Sequence, residues 1–266
     1  MRHRSLTMPP FGLVLFAATI SVSSCADAST PSLAQHPDTA WVEQTLADLT
    51  LEQKVGQLIC SDIDLRVAGA IDSDLERWVG LARDHGLGMF VLYGGTPDVV
   101  ASLLNQLQGE AEIPILMAAD FEGGPGQQMV GATEYPANMA FAAIGDEDLM
   151  YRATSAGAVE GRAMGVHLTY TPVVDVSLRP ENPAESVRSF GGDVDLLGRM
   201  VRPYVRGYHD NGMLASAKHF PGRGDVDAMS EYPNFNVNNK LAADVIANDF
   251  RAFRLAIEAG VDFVMT

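Results

Sequence analysis

Residues 210–219, Asp210-Asn211-Gly212-Met213-Leu214-Ala215-Ser216-Ala217-Lys218-His219, read as a helix tail, a glycine turn, a short apolar strand and an ionisable pair at its close. Glycine suits the left-handed residue that ends a helix before the chain turns back as a strand. The same grammar recurs at His85-Gly86-Leu87, Met164-Gly165-Val166 and Ala259-Gly260-Val261. It predicts strands over 87–93, 166–176, 213–220 and 261–265, with 113–119, entered through Pro114, as another and 58–63 as the first. Strands that are apolar throughout and alternate with helices point to a parallel sheet covered by helices.

The helices carry matching signals. Thr50-Leu51-Glu52-Gln53 has the pattern of a capping box, with Thr50 as cap and Gln53 reaching back. Leu197, Met200, Val201, Tyr204, Val205 and Tyr208 fall on one helical face. Pro203 interrupts that helix and predicts a kink or a late start. Leu241, Val245, Phe250, Phe253 and Ile257 form the expected buried face of the last helix. Six strand–helix units fit either a doubly wound sheet or part of a (β/α)8 TIM-type barrel. Asp120, Asp175 and Lys218-His219 each close a strand, which is how a barrel builds a site at its C-terminal mouth. The best glycine-rich stretch, Gly123-Gly124-Pro125-Gly126, lacks the G-x-G-x-x-G spacing of a dinucleotide site. The expected class is therefore α/β, a (β/α)8 TIM-type barrel truncated after about six strand–helix units, against about 250 residues for a whole one. Its open edges would be an aggregation hazard.

The chain has 266 residues, 47% hydrophobic and 20% charged, with 34 Asp+Glu against 18 Lys+Arg and a net charge of −16. That composition excludes disorder, collagen and a multispan membrane protein. The acidic balance argues against nucleic acid as a partner. Two cysteines make no disulfide scaffold, and no H-E-x-x-H or paired-Cys pattern suggests a metal; no cofactor is expected.

Arg2, His3 and Arg4 precede an apolar run over 11–22, too short for the roughly 20 residues of a membrane span and right for an export signal over 1–25. Val22-Ser23-Ser24-Cys25 resembles a bacterial lipobox, which would lipidate Cys25; ordinary cleavage after Ala26-Asp27-Ala28 is the alternative. The expected location is outside the bacterial cytoplasmic membrane, held by a lipid anchor or secreted. Residues 26–40 read as a tether and 41–266 as one domain. Cys60 reads as a small buried apolar residue.

Three stretches carry the chemistry: Asp120-Phe121-Glu122-Gly123-Gly124, Arg188-Ser189-Phe190-Gly191 and Lys218-His219-Phe220-Pro221-Gly222-Arg223-Gly224. Acidic, guanidinium, ammonium and imidazole groups converging on one mouth suit hydroxyl-rich ligands. The plainer reading makes Asp120 and Arg188 a buried ion pair, with Lys218 as second partner. In this order the stretches resemble glycoside hydrolase family 3, above all its β-N-acetylhexosaminidases. The stretch from Leu49 to Leu58, Thr171-Pro172-Val173-Val174-Asp175-Val176 and Asn182-Pro183 are also typical. The resemblance covers 41–266 and implies an exo-acting retaining enzyme that removes terminal β-linked N-acetylglucosamine-type sugars from cell-wall or other glycans. Asp120, Arg188, Lys218 and His219 match the family's sugar-binding residues.

Two departures accompany the match. Where the hexosaminidase branch carries Asp-Ser-His, with His as acid/base, this chain has Met229, Ser230 and Glu231, and Arg223 replaces the preceding loop His. A carboxylic acid of raised pKa can serve instead, making Glu231 the candidate acid/base, with Asp225 and Asp227 as rivals. Pro125 also stands where an Arg usually follows Glu-Gly-Gly. The family's nucleophile is an Asp at the close of a seventh strand, which no residue here matches, so binding without formation of a glycosyl-enzyme is expected. Other readings are a non-catalytic sugar-binding lipoprotein, another family 3 exo-glycosidase such as a β-glucosidase, and an unrelated aldolase using Lys218 as a Schiff base.

Overall fold

The computed structural model describes residues 39–178, 182, 185–224 and 242–266. The 1–25 leader with Cys25, and Asp225, Asp227, Met229, Ser230, Glu231 and Leu241, lie outside them. The chain divides into two compact units, Met1–Asp48 and Leu49–Thr266. In the first, helix α1 (Thr39–Asp48) takes in the last two residues of the stretch read as a tether; Gln44 donates to Asp48 one turn on.

The second unit runs α2 (Leu51–Gln57), β1 (Cys60–Asp64), α3 (Ala70–Arg83), β2 (Met89–Tyr93), α4 (Pro97–Glu110), β3 (Leu116–Ala119), α5 (Asn138–Ile144), α6 (Glu147–Ala163), β4 (Leu168–Thr169), α7 (Val194–His209), β5 (Leu214–Lys218), α8 (Ala242–Asp244), α9 (Phe250–Glu258) and β6 (Phe263–Met265). The six strands are parallel and follow one another in sheet order β1-β2-β3-β4-β5-β6. A doubly wound sheet reverses its strand order at a switch point, whereas unbroken sequential order belongs to the (β/α)8-type barrel. The fold is α/β, with six strands of that barrel among the described residues.

Local signals act as the sequence indicates. Thr50 Oγ1 accepts from Gln53 N and Gln53 Oε1 accepts from Thr50 N, completing the capping box of α2. Gly86, Gly165, Gly212 and Gly260 all sit in the left-handed region, with φ of 59°, 91°, 71° and 97°. Asp193 caps α7 by accepting from the amides of Asp195 and Leu196, and all six residues of its expected apolar face are buried. At about 1.5–3 kcal/mol for each large apolar side chain, that face fixes the helix on the sheet.

Four expectations need correction. Helix α7 starts nine residues before Pro203 and runs through it, so there is no late start; Pro203 is itself buried on the packed face. The last helix buries Ala252, Phe253 and Ala256, while Phe250 and Ile257 stay 39% and 58% exposed. A π turn over Val245–Asp249 precedes this helix, and within α9 the small Ala252 and Ala256, beside Phe253, form the packed face. The strand expected over 166–176 is regular only at Leu168–Thr169; beyond it Pro172 has no N–H to donate, and the segment stays bonded to β5 through the carbonyls of Thr171 and Pro172 and the amide of Val174. Cys60 is exposed, not buried, because β1 has a neighbour on one side only. At the sheet's two edges Ile59, Phe263 and Val264 are likewise exposed.

Candidate active site

The ends of β3 and β5 supply the first charged groups. Asp120 follows the last residue of β3, and Glu122 lies two residues beyond it. Between them Phe121 is fully buried: its N–H donates to Thr169 Oγ1, and its carbonyl accepts from Tyr208 on α7. With Phe121 pinned in the core, both neighbouring carboxylates meet Lys218, the last residue of β5. Lys218 Nζ lies 2.5 Å from Asp120 Oδ1 and 2.6 Å from Glu122 Oε1.

Arg188 comes from the 3-10 turn Ser186–Arg188 between β4 and α7. Its carbonyl accepts from buried Asn138, which holds the turn. The guanidinium grips Glu122 through both oxygens, Nε to Oε2 and NH2 to Oε1, each at 2.8 Å. The ion pair expected between Asp120 and Arg188 is thus distributed differently: Arg188 pairs with Glu122, and Lys218 bridges Glu122 and Asp120. Burial opposes ionisation of Glu122, but hydrogen bonds and charge from Arg188 and Lys218 prevail and hold its carboxyl at about 2. Arg188 is pushed up in turn by its bond to Glu122. An ammonium clamped by two carboxylates is built as a fixed donor, which argues against the Schiff-base reading of Lys218.

His219 is held by a separate acid. Asp175, fully buried, accepts from His219 Nδ1 at 2.7 Å, from His219 N at 3.2 Å and from Arg223 N at 2.5 Å. A carboxylate only accepts, so the proton sits on Nδ1, and no bond to Nε2 is seen among the described residues. Behind this pair stands Glu185, also fully buried, 3.1 Å from Arg223 Nε, 3.5 Å from Arg188 NH1 and 3.7 Å from His219 Nδ1. Burial and the nearby Asp175 raise its carboxyl to about 7 against the pull of the two arginines. Asp175, Glu185 and His219 offer ligand atoms within 4.8 Å of one another, the one such grouping among the described residues. Asp175 is committed to three N–H groups and Arg223 Nε faces Glu185 as an ion pair, while neither Glu185 oxygen makes a hydrogen bond among the described residues.

The site therefore has two layers. Lys218, Glu122, Asp175 and Glu185 have side chains no more than 8% exposed, whereas Asp120, Arg188 and His219 keep 21%, 34% and 14%. Asp120, Arg188 and His219 are thus the more exposed groups, and the other four are packed beneath and beside them. Asp120, Arg188, Lys218 and His219 are brought together as the sequence indicates. The motifs include Glu122 without giving it a role of its own, and Glu185 lies outside them. Spacing of two residues from Asp120 at a strand end points to Glu122, and Glu185 carries no local signal beyond standing three residues before Arg188.

The profile of the glycosyl hydrolase family 3 N-terminal domain matches residues 50–266. The chain belongs to glycoside hydrolase family 3. It is 36% identical over 226 residues to a beta-N-acetylglucosaminidase/beta-glucosidase of Cellulomonas fimi, covering 85% of this chain and 39% of that protein. A family 3 beta-N-acetylglucosaminidase from Paenibacillus sp. str. FPU-7 superposes with a TM-score of 0.69 at 34% identity, over 82% of this chain and 42% of that one. The beta-glucoside phosphorylase BglX, solved with 2FGlc, gives a TM-score of 0.76 at 31% identity, over 85% and 40%. The chain thus spans about two-fifths of the length of these family 3 proteins.

Proposed function

We propose that this family 3 chain carries the terminal-sugar site of an exo-acting retaining β-N-acetylhexosaminidase, acting on β-linked N-acetylglucosamine-type sugars of cell-wall or other glycans. The observation that carries the reading is the clamp at the C-terminal strand ends, where Lys218 joins Asp120 to Glu122 and Arg188 completes it. Fixed donors on Lys218 and Arg188, an acceptor on Asp120 and the imidazole of His219 suit adjacent hydroxyls of one ring. Catalysis needs two carboxyl groups about 5–5.5 Å apart. In this reading Glu231 is the acid/base, and the nucleophile belongs to sequence beyond Thr266.

The test is turnover of aryl β-N-acetylglucosaminide by this chain and by a version extended with the downstream sequence. Aryl β-glucoside and β-xyloside serve as controls, and inorganic phosphate as an alternative acceptor. No turnover by the extended protein refutes the hydrolase. A non-catalytic sugar-binding role is the second reading, favoured by Met229, Ser230 and Glu231 in place of Asp-Ser-His. Calorimetric titration with N-acetylglucosamine would then give heat without turnover. For location we propose export with lipidation at Cys25, since Val22-Ser23-Ser24-Cys25 follows an apolar run. Loss of fatty-acid labelling in Cys25→Ala is the expected outcome, and unchanged labelling rejects it. No helix among the described residues is long and apolar enough to cross a membrane.

A further inference from the structure

Arg223 departs from the histidine expected at its position, and Glu185 is a fully buried carboxylate among charges of both signs. The two side chains meet at 3.1 Å. A buried carboxylate beside Asp175 requires a permanent cation, which arginine supplies at every working pH and histidine does not. We propose that Glu185 is a positioning residue of the sugar site, bracing the turn that carries Arg188 against the loop that carries His219 through its ion pair with Arg223. The proposal rests on the reading of Arg188 and His219 as sugar ligands.

Several contacts converge on that brace. Glu185 Oε2 lies 3.5 Å from Arg188 NH1, and its Oε1 faces both Arg223 Nε and His219 Nδ1. Asn182 Nδ2 crosses the same gap to the carbonyls of Arg223 and Gly224 at 3.3 and 2.9 Å. Ser186, next to Glu185, holds a φ of 33°, a region that side chains other than glycine rarely adopt, so the turn is kept by its surroundings. The charged groups facing Glu185 are Asp175, Glu122, Arg188, Arg223 and His219. Four carboxylates, counting Asp120, thus stand against three permanent cations, counting Lys218. Loss of Arg223 would leave a buried carboxylate sharing Arg188 with Glu122. Loss of Glu185 would instead free Arg223 while relieving a crowded negative charge.

The experiment is a double-mutant cycle on the full chain with Glu185→Gln, Arg223→Met and the pair together. Hydrogen exchange of the 219–224 amides is read at pH 8, alongside titration with N-acetylglucosamine. Glu185→Gln is expected to speed exchange at the His219 and Arg223 amides about tenfold without lowering Tm, a split that a merely structural role does not produce. Arg223→Met should speed exchange at least as much and lower Tm, and the double variant should exchange no faster than Arg223→Met alone. Each single variant should also weaken sugar binding by about tenfold, in the range of one lost charged contact. If Arg223→Met fails to fold, Arg223→Lys keeps the cation and should exchange within about threefold of the native rate. Unchanged exchange in Glu185→Gln, or effects that multiply in the double variant, overturns the brace. Absence of sugar binding by the native protein instead overturns the sugar-site reading and leaves the brace to be judged by exchange alone. Native sugar affinity in Glu185→Gln, with faster exchange, removes its role in the site.

Discussion

Glu122→Gln isolates the inner clamp. Its carboxylate is 8% exposed and takes three bonds, two from Arg188 at 2.8 Å and one from Lys218 at 2.6 Å. These cations hold its pKa at about 2 against an ordinary 4.5. At about 1.4 kcal/mol per pH unit, the ionised group contributes on the order of 3 kcal/mol of stability. Because the folded value is depressed, that contribution is complete above about pH 4.5 and fades as the pH falls through about 2. The amide keeps the shape but accepts at one oxygen only, and it removes the negative charge that stands between Lys218 and Arg188. The variant should lose on the order of 3 kcal/mol at pH 7, or about 6–12 °C in Tm for a unit of this size. Denaturant melts of both proteins from pH 2 to pH 7 give the difference directly. It should shrink towards zero at the acid end. A loss below about 1 kcal/mol at pH 7, or the same loss at pH 2, would refute the claim that ionised Glu122 ties Lys218 to Arg188.

The remaining predictions concern neighbouring features. Glu185 has the opposite sign: its folded pKa is raised to about 7, so its cost to stability grows as pH rises from 4.5 through 7. Glu185→Gln should therefore be more stable than the native protein at pH 8 by up to about 3 kcal/mol, and equal to it below about pH 4.5. Equal stability at both pH values rejects that sign. In Gly224→Ala the added Cβ would run into the Val176 carbonyl, so the loop after β5 must shift. N-acetylglucosamine titration should show at least about tenfold weaker binding, and native affinity would show that the loop yields freely. If Glu231 is the acid, Glu231→Gln in the extended protein should slow substrates with poor leaving groups far more than good ones. Equal losses point to another residue. The exposed edges at β1 and β6 predict concentration-dependent association of this chain by light scattering, and a monodisperse monomer contradicts it.

Regular local chemistry made most of the architecture legible. Glycines that end helices and ionisable groups that end strands depend on neighbours in sequence, so Gly86, Gly165, Gly212, Gly260 and Lys218 could be placed without a structure. The misplacements occurred where a tertiary fact overrides the period. The packed face of α9 falls on Ala252, Phe253 and Ala256 rather than on Phe250 and Ile257, and past Thr169 the apolar run 166–176 stays bonded to β5 without regular strand geometry. Cys60 followed its composition rather than its neighbours, of which β1 has only one. In the site, motif residues were found and their pairing was not. Which carboxylate Arg188 grips depends on how Phe121 orients the segment around it, a packing event invisible along the chain. Glu185 emerges only because the turn before Arg188 folds over the loop after β5.

The sequential sheet also orders the molecule in time. Each strand pairs with the one before it in the chain, so partners close over one helical excursion rather than across the whole sequence. Asp120, Lys218 and His219 belong to β3 and β5 and the residues just after them, inside the sheet and away from β1 and β6. Amide protection should accordingly form a gradient, lowest at Cys60–Asp64 and Phe263–Met265 and highest under Asp120. Fraying at either border then leaves the Lys218 clamp intact.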